Sequence, residues 1–271
     1  MKKLLTAMLV LLLATACSSG SETPADESNV LRVGMECDYA PFNWTTLTTN
    51  EFTKQISSVD YADGYDVVIA SMIAEDLGMD VQIVKLDWDA LIPSLQNGEI
   101  DLIVAGMTDT PERRQSISFT TPYYESQMAI IVQKGSELEN VTDIQELSGY
   151  KVMGQLSTLY DEIIDQIDGV VHLDPKASYP EMIPDITNGI ADALTAELPV
   201  AIGVCAANPS LTYVTFEDGH GFDVDTSVSI GLRKEDTDLL NKVQASLDKI
   251  SEDTRVQLML DATDRQPATE E

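Results

Sequence analysis

The 271-residue sequence predicts an α/β fold of two lobes, each a mostly parallel sheet flanked by helices. Three observations predict it. From Val30 onward, short apolar runs alternate with stretches of helical period. Residues 92–101 align with residues 183–192 at a constant offset of 91 (183 − 92; 192 − 101), and Ile, Pro, Asn, Gly and Asp coincide between them. A hydrophobic content of 44% with 15 Gly and 11 Pro is that of a chain with a real core, not a collagenous or disordered one.

The elements follow in order. Residues 31–35 read as a strand. Residues 65–77 carry Val68, Ile69, Met72, Ile73 and Leu77 at helical spacing and stop at Gly78. Residues 81–86 read as a strand, 89–96 as a helix capped by Asp89, and 100–105 as a buried strand. The second series has strands at 128–133, 150–153, 170–173, 193–196 and 211–216, with helices at 158–167, 181–187 and 198–206. A strand at 228–232 and helices at 238–250 and 255–260 complete the chain.

The amino terminus reads as an address. Lys2 and Lys3 precede an apolar run over 4–14 that is too short to span a bilayer, followed by small residues and Cys17. Residues 1–16 are therefore expected to be an export signal and 17–29, rich in Ser, Glu, Pro and Asp, a flexible tether. Ala14-Thr15-Ala16-Cys17 resembles a bacterial lipoprotein processing site, which would make Cys17 the acylated residue and hold the protein on the outer face of the cell membrane; the alternative is a secreted protein with an incidental Cys17.

With 46 acidic against 16 basic residues the net charge is −30, which excludes a nucleic-acid partner. The three Cys are too few for a disulfide framework, and Cys37 and Cys205 either pair or are buried as small hydrophobes. The two His, His172 and His220, lie far apart in sequence, so neither a metal nor a cofactor is expected.

In parallel sheets ligands sit beyond the carboxyl ends of the strands. The repeat therefore points to Gly106, Met107 and Thr108 in one lobe and Glu197 in the other, facing each other across a cleft. Thr110-Pro111-Glu112-Arg113 reads as a helix start, with Arg113 in a first turn that disfavours a cation. Such an Arg either pairs with a surface acid or forks onto a ligand carboxylate. Glu197 is either a helix cap or an acceptor for an ammonium, and Ser157-Thr158 either a plain cap or a set of free N–H groups for an anion. Together these groups form a clamp for a zwitterion.

Leu31-Arg32-Val33-Gly34 with Tyr39-Ala40-Pro41-Phe42, Gly64-Tyr65-Asp66-Val67 and Trp88-Asp89-Ala90-Leu91 run in order with Ala105-Gly106-Met107-Thr108, Thr110-Pro111-Glu112-Arg113 and Phe119-Thr120-Thr121-Pro122-Tyr123-Tyr124. With Gln155-Leu156-Ser157-Thr158 and Gly231-Leu232-Arg233-Lys234, this set resembles the extracytoplasmic solute-binding proteins of polar amino-acid ABC importers, the group with lysine/arginine/ornithine-, histidine- and glutamine-binding members. The resemblance implies the two-lobed periplasmic-binding-protein fold of type II, with lobe 1 made of 30–125 plus 219–271, lobe 2 of 126–218, and crossings near 125–128 and 215–219. It implies that Arg113 and Thr108, with N–H groups of Thr108 and Thr158, hold an α-carboxylate. Glu197 and the carbonyl of Gly106 would take the α-ammonium, Tyr39 and Trp88 would form aromatic walls, and Glu36, Cys37 and Asp38 would reach the ligand side chain. It implies as partners an amino acid and ABC permease subunits in the membrane, with the chain acting as a monomer and not as an enzyme.

Ser157 and Leu159 depart from the family's usual Gly and second Thr, and the stretch 45–62 is longer than in the shorter members. Glu36 and Asp38 bring negative charge to the side-chain pocket, so a basic or neutral polar amino acid is expected there, with Trp88 adding cation–π attraction. Two other readings remain: a cyclohexadienyl-dehydratase-like lyase on the same fold, with Glu197 as general acid, and a ligand-sensing domain.

Overall fold

The computed structural model describes residues 29–266. The expected export signal, Cys17 and all but the last residue of the tether lie outside the described residues. The strands are β1 (Val30–Met35), β2 (Asp38–Tyr39), β3 (Asn43–Thr46), β4 (Lys54–Gln55), β5 (Tyr61–Asp63), β6 (Asp80–Lys85), β7 (Leu102–Ile103), β8 (Ser118–Tyr124), β9 (Met128–Gln133), β10 (Lys151–Met153), β11 (Val171–His172), β12 (Ala193–Glu197), β13 (Leu211–Thr215) and β14 (Val228–Leu232). The α-helices are α1 (Tyr65–Asp76), α2 (Leu91–Gln96), α3 (Leu159–Glu162), α4 (Tyr179–Thr187), α5 (Leu198–Ala207), α6 (Thr237–Leu247) and α7 (Glu252–Arg265).

Two five-stranded sheets carry the fold, in the orders β6-β1-β7-β14-β8 and β11-β10-β12-β9-β13. In each, three parallel strands are followed by two that run antiparallel to their neighbours or to the parallel set. The repeat predicted from sequence is structural. β7 lies against β1 with Val33 opposite Leu102, and β12 lies against β10 with Val152 opposite Ala193. The shared Asp does the same work in both places. Asp101 accepts the Arg32 N–H at 3.0 Å and returns its own N–H to the Arg32 carbonyl; Asp192 does the same with Lys151, accepting at 2.8 Å. The aligned Gly98 and Gly189 both end a helix in the left-handed region, at φ 76° and 74°.

The first sheet buries Leu31, Val33, Leu102 and Ile103 against Ile69, Ile73 and Leu91, and the second buries Ile130, Val132 and Val152 against Leu147 and Ile164. A fully buried aliphatic side chain of this kind contributes roughly 1.5–3 kcal/mol.

Several local expectations change. The helix placed at 89–96 begins as a single 3-10 turn over Trp88–Ala90, and Asp89 caps nothing; α2 starts only at Leu91. The buried run 100–105 enters the ladder only at Leu102–Ile103. The helix start at Thr110 is a three-residue 3-10 turn, Arg113–Gln115, though Thr110 Oγ1 still accepts the Arg113 N–H at 3.2 Å. The long stretch 45–62 folds into part of a small antiparallel sheet, β2-β3-β5-β4, beside the first lobe.

The chain leaves the first sheet after Tyr124 and enters the second at Met128. Its return comes later than 215–219. His220 accepts the Ile144 N–H and pairs with Asp143, Asp223 exchanges hydrogen bonds with Gln166, and Phe222 and Val224 pack on the second lobe's core, so residues 220–224 stay with that lobe. Thr226 Oγ1 then donates to the Ser126 carbonyl at 2.6 Å, tying the two crossing segments side by side. No described helix is long and apolar enough to cross a membrane.

Candidate functional site

The carboxyl ends of four parallel strands meet where the two sheets face each other. Glu36 follows β1, Gly106 follows β7 by a short loop, Gln155 follows β10, and Glu197 ends β12. Glu36, Tyr39, Trp88, Gly106, Thr108 and Arg113 from the first lobe line one gap with Gln155, Thr158, Leu159 and Tyr160 from the second. Its free volume is about 10 Å³, room for roughly one water molecule, so an amino acid enters only when the lobes part. A larger concavity of about 660 Å³, bordered by Val30, Met79 and Gln82, lies at the amino ends of β1 and β6 and carries none of the expected groups.

Among the described residues, three side-chain hydrogen bonds join the two walls of the site across the lobes. Gln155 Nε2 donates to Glu36 Oε1 at 2.9 Å, Trp88 Nε1 donates to the Ser157 carbonyl at 3.0 Å, and the Tyr39 hydroxyl donates to Glu197 Oε1. Tyr160, from α3, donates to the same Glu197 oxygen at 2.9 Å. Glu197 is fully buried, and its Oε2 has no hydrogen-bond partner among the described residues. Burial pushes the Glu197 carboxyl up to about 7, against the pull of Tyr39 and Tyr160; Ser126 also favours the ionised form, though its hydroxyl does not reach Oε2 in hydrogen-bond geometry.

Glu36 is buried at the head of the gap, and burial with the nearby Asp38 charge pushes its carboxyl up to about 8, Gln155 pulling the other way. Arg113 is half-buried. Its Nη1 donates to the Thr108 carbonyl at 2.8 Å and its guanidinium lies over the Trp88 ring, 5.2 Å from the centroid. Burial lowers its pKa, which leaves it charged in ordinary conditions. The Trp88 face expected to attract a ligand cation is thus occupied by Arg113. Gly106 has φ 59°, and a Cβ on it would sit 2.8 Å from the Tyr39 ring. The Thr158 hydroxyl donates to the Gln155 carbonyl at 2.7 Å and caps no helix N–H.

Expected residues that are not among those lining the gap include Glu197, which reaches it through Tyr39 and Tyr160, and Asp38. Asp38 is exposed and pairs with Lys85 at 3.3 Å, so it reaches the gap only through its field on Glu36. Cys37 is buried behind the gap, and both it and Cys205 are free thiols pushed by burial up to about 12. Gln155, Leu159 and Tyr160 were not expected. Their signal was positional: Gln155 stands just after β10, the counterpart of the strand that delivers Glu36, and Leu159 and Tyr160 open the helix that follows it. No cluster of three or more potential metal ligands occurs among the described residues.

Residues 31–261 match the family of bacterial extracellular solute-binding proteins, family 3. The chain belongs to this family. A probable histidine-binding protein of Campylobacter jejuni is 32% identical over 82% of this chain and 85% of its own length. A putative ABC transporter arginine-binding protein of Escherichia coli is 28% identical over 93% and 95%. An amino acid ABC transporter substrate-binding protein from Streptococcus pneumoniae, solved bound to L-arginine, superposes with a TM-score of 0.77 at 27% identity over 88% of this chain and 95% of that one. The two-lobed fold expected for the family 3 protein is the fold of that structure, and the family is one of solute binders, not of enzymes.

Proposed function

We propose that this solute-binding protein captures an amino acid between its lobes, preferring a basic side chain, and delivers it to the membrane subunits of an ABC importer from a lipid anchor at Cys17. The observation that carries the reading is the buried Glu197, which accepts from two residues of the gap's lining, Tyr39 and Tyr160, and whose Oε2 lacks a partner among the described residues, behind a gap that also presents Arg113. A carboxylate offering an open acceptor suits an α-ammonium, and a half-buried guanidinium suits an α-carboxylate. Glu36, under the fields of Asp38, Asp87 and Asp89, favours a cationic side chain, in line with relatives named for arginine and histidine. Lobe 1 is taken as 30–125 with the chain's last part and lobe 2 as the segment between the crossings, moving about 125–127 and 225–227.

Ligand contacts to both lobes stabilise the closed form, and that difference in affinity is what drives closure. Thr108 and Thr158 add carboxylate contacts, the Gly106 carbonyl adds one to the ammonium, and Tyr39 walls the ligand. Calorimetric titration with a panel of amino acids tests the reading. Arg113→Ala is expected to lose binding of L-arginine by 100-fold or more, about 2.7 kcal/mol, with an unchanged circular dichroism spectrum. Tight binding of L-glutamate without L-arginine would overturn the basic preference. Metabolic labelling with a radioactive fatty acid tests the anchor: Cys17→Ser is expected to abolish the label.

A further inference from the structure

Two loops build the first lobe's wall of the gap, one after β1 and one after β7. Each turns through a left-handed residue, Cys37 at φ 59° and Gly106 at φ 59°. For a non-glycine residue that conformation is strained and persists only where its surroundings hold it. Both residues are held by their N–H groups, and by the two ends of one buried hydrogen-bond chain. The Cys37 N–H donates to Asn43 Oδ1 at 2.7 Å, and Asn43 Nδ2 donates to Asp66 Oδ2 at 2.7 Å. From the other side the Gly106 N–H donates to the Tyr123 hydroxyl at 2.9 Å, and that hydroxyl donates to Asp66 Oδ1 at 2.6 Å. Asn43, Asp66 and Tyr123 are all fully buried.

The polarity of the chain is fixed from its centre. Asp66 accepts from both arms, which forces Asn43 to turn its carbonyl, and Tyr123 its lone pair, toward the two loops. Asp66 sits in the first turn of α1, where the helix dipole favours a carboxylate. Burial pushes it up to about 7, while Tyr123, Asn43 and the Gly106 amide pull it back toward ionisation. The phenol is fixed at its other end too, because Tyr65, also in α1, donates to the Tyr123 carbonyl at 2.8 Å.

We propose that Asp66 is a positioning residue for ligand capture, setting through Asn43 and Tyr123 the two loops that carry Glu36 and Tyr39 on one side and Gly106 and Thr108 on the other. It touches no ligand itself. This goes beyond the ligand-class reading, since the chain of bonds would serve any amino acid held by those loops.

The test compares amide spectra of the 15N-labelled full chain without ligand and calorimetric titrations with L-arginine. Tyr123→Phe keeps the ring and removes the link. It is expected to move the Cys37 amide resonance, although the two are joined in hydrogen bonding only through Asp66 and Asn43, and to weaken L-arginine binding about tenfold in protein that remains folded. Asn43→Ala is expected to weaken it similarly, and the double variant to lose clearly less than the product of the two, because both act through Asp66. A Cys37 amide that stays in place in Tyr123→Phe, or losses that multiply, would overturn the proposal. The amide comparison needs no ligand, so failure of the preference for basic amino acids leaves it able to decide.

Discussion

At the scale of single residues, Glu36 makes the most direct prediction. Its folded pKa is raised, so between about 4.5 and about 8 the folded protein binds a proton that the unfolded chain does not. Stability of the ligand-free protein is therefore greatest toward the acid side of that window and falls as pH rises through it. Glu197, raised to about 7, acts in the same direction. Glu36→Gln is expected to flatten the slope of thermal midpoint against pH from 5 to 8, leaving the part due to other raised carboxyls such as Glu197 and Asp66; an unchanged slope would count against the burial argument. Gly106→Ala is expected to weaken L-arginine binding more than tenfold, because the methyl needs a left-handed backbone and collides with Tyr39, whereas Gly203→Ala meets only the flexible end of Gln266 and is expected to bind normally in the same titration. The composition of the gap was largely legible in the sequence, but Asp38 was not. The resemblance put Glu36, Cys37 and Asp38 together at the ligand side chain; β1 stops at Met35, Cys37 turns left-handed, and Asp38 pairs with Lys85 at the surface.

The elements repeat a single unit, and the repeated Asp is its joint. Asp192 secures β10 to β12 through one backbone N–H, while Asp101 secures β1 to β7 and also pairs with Arg32 and Arg233 at 2.7 and 3.2 Å. Asp192→Ala is expected to cost about 1–2 kcal/mol and Asp101→Ala about twice that, read as urea midpoints, since the second substitution also removes the carboxylate that Arg32 and Arg233 share. Apolar periodicity and the 91-residue offset made these elements readable. Short elements were not, because a 3-10 turn at Trp88–Ala90 or Arg113–Gln115 has too few residues to show a period, yet those two turns present Trp88 and Arg113 to the gap. Tyr160 gave no sequence signal of its own, because what bonds Glu197 is its hydroxyl, which apolar pattern ignores.

For the molecule as a whole, the net charge of −30 sets the approach of a small cation. The association rate of L-arginine is expected to fall several-fold between 20 and 500 mM salt in stopped-flow fluorescence, and that of a neutral amino acid to stay nearly flat. The two sheets are unequal in another respect. The second draws all its strands from one unbroken stretch, β9 to β13, whereas the first lacks β14 until the chain has come back. A polypeptide threaded through an export channel from its amino end therefore has every strand of the later sheet outside before the earlier one can be finished. The half that is started first must wait, with the edges of β7 and β8 unjoined, for a strand that comes more than a hundred residues after both of them.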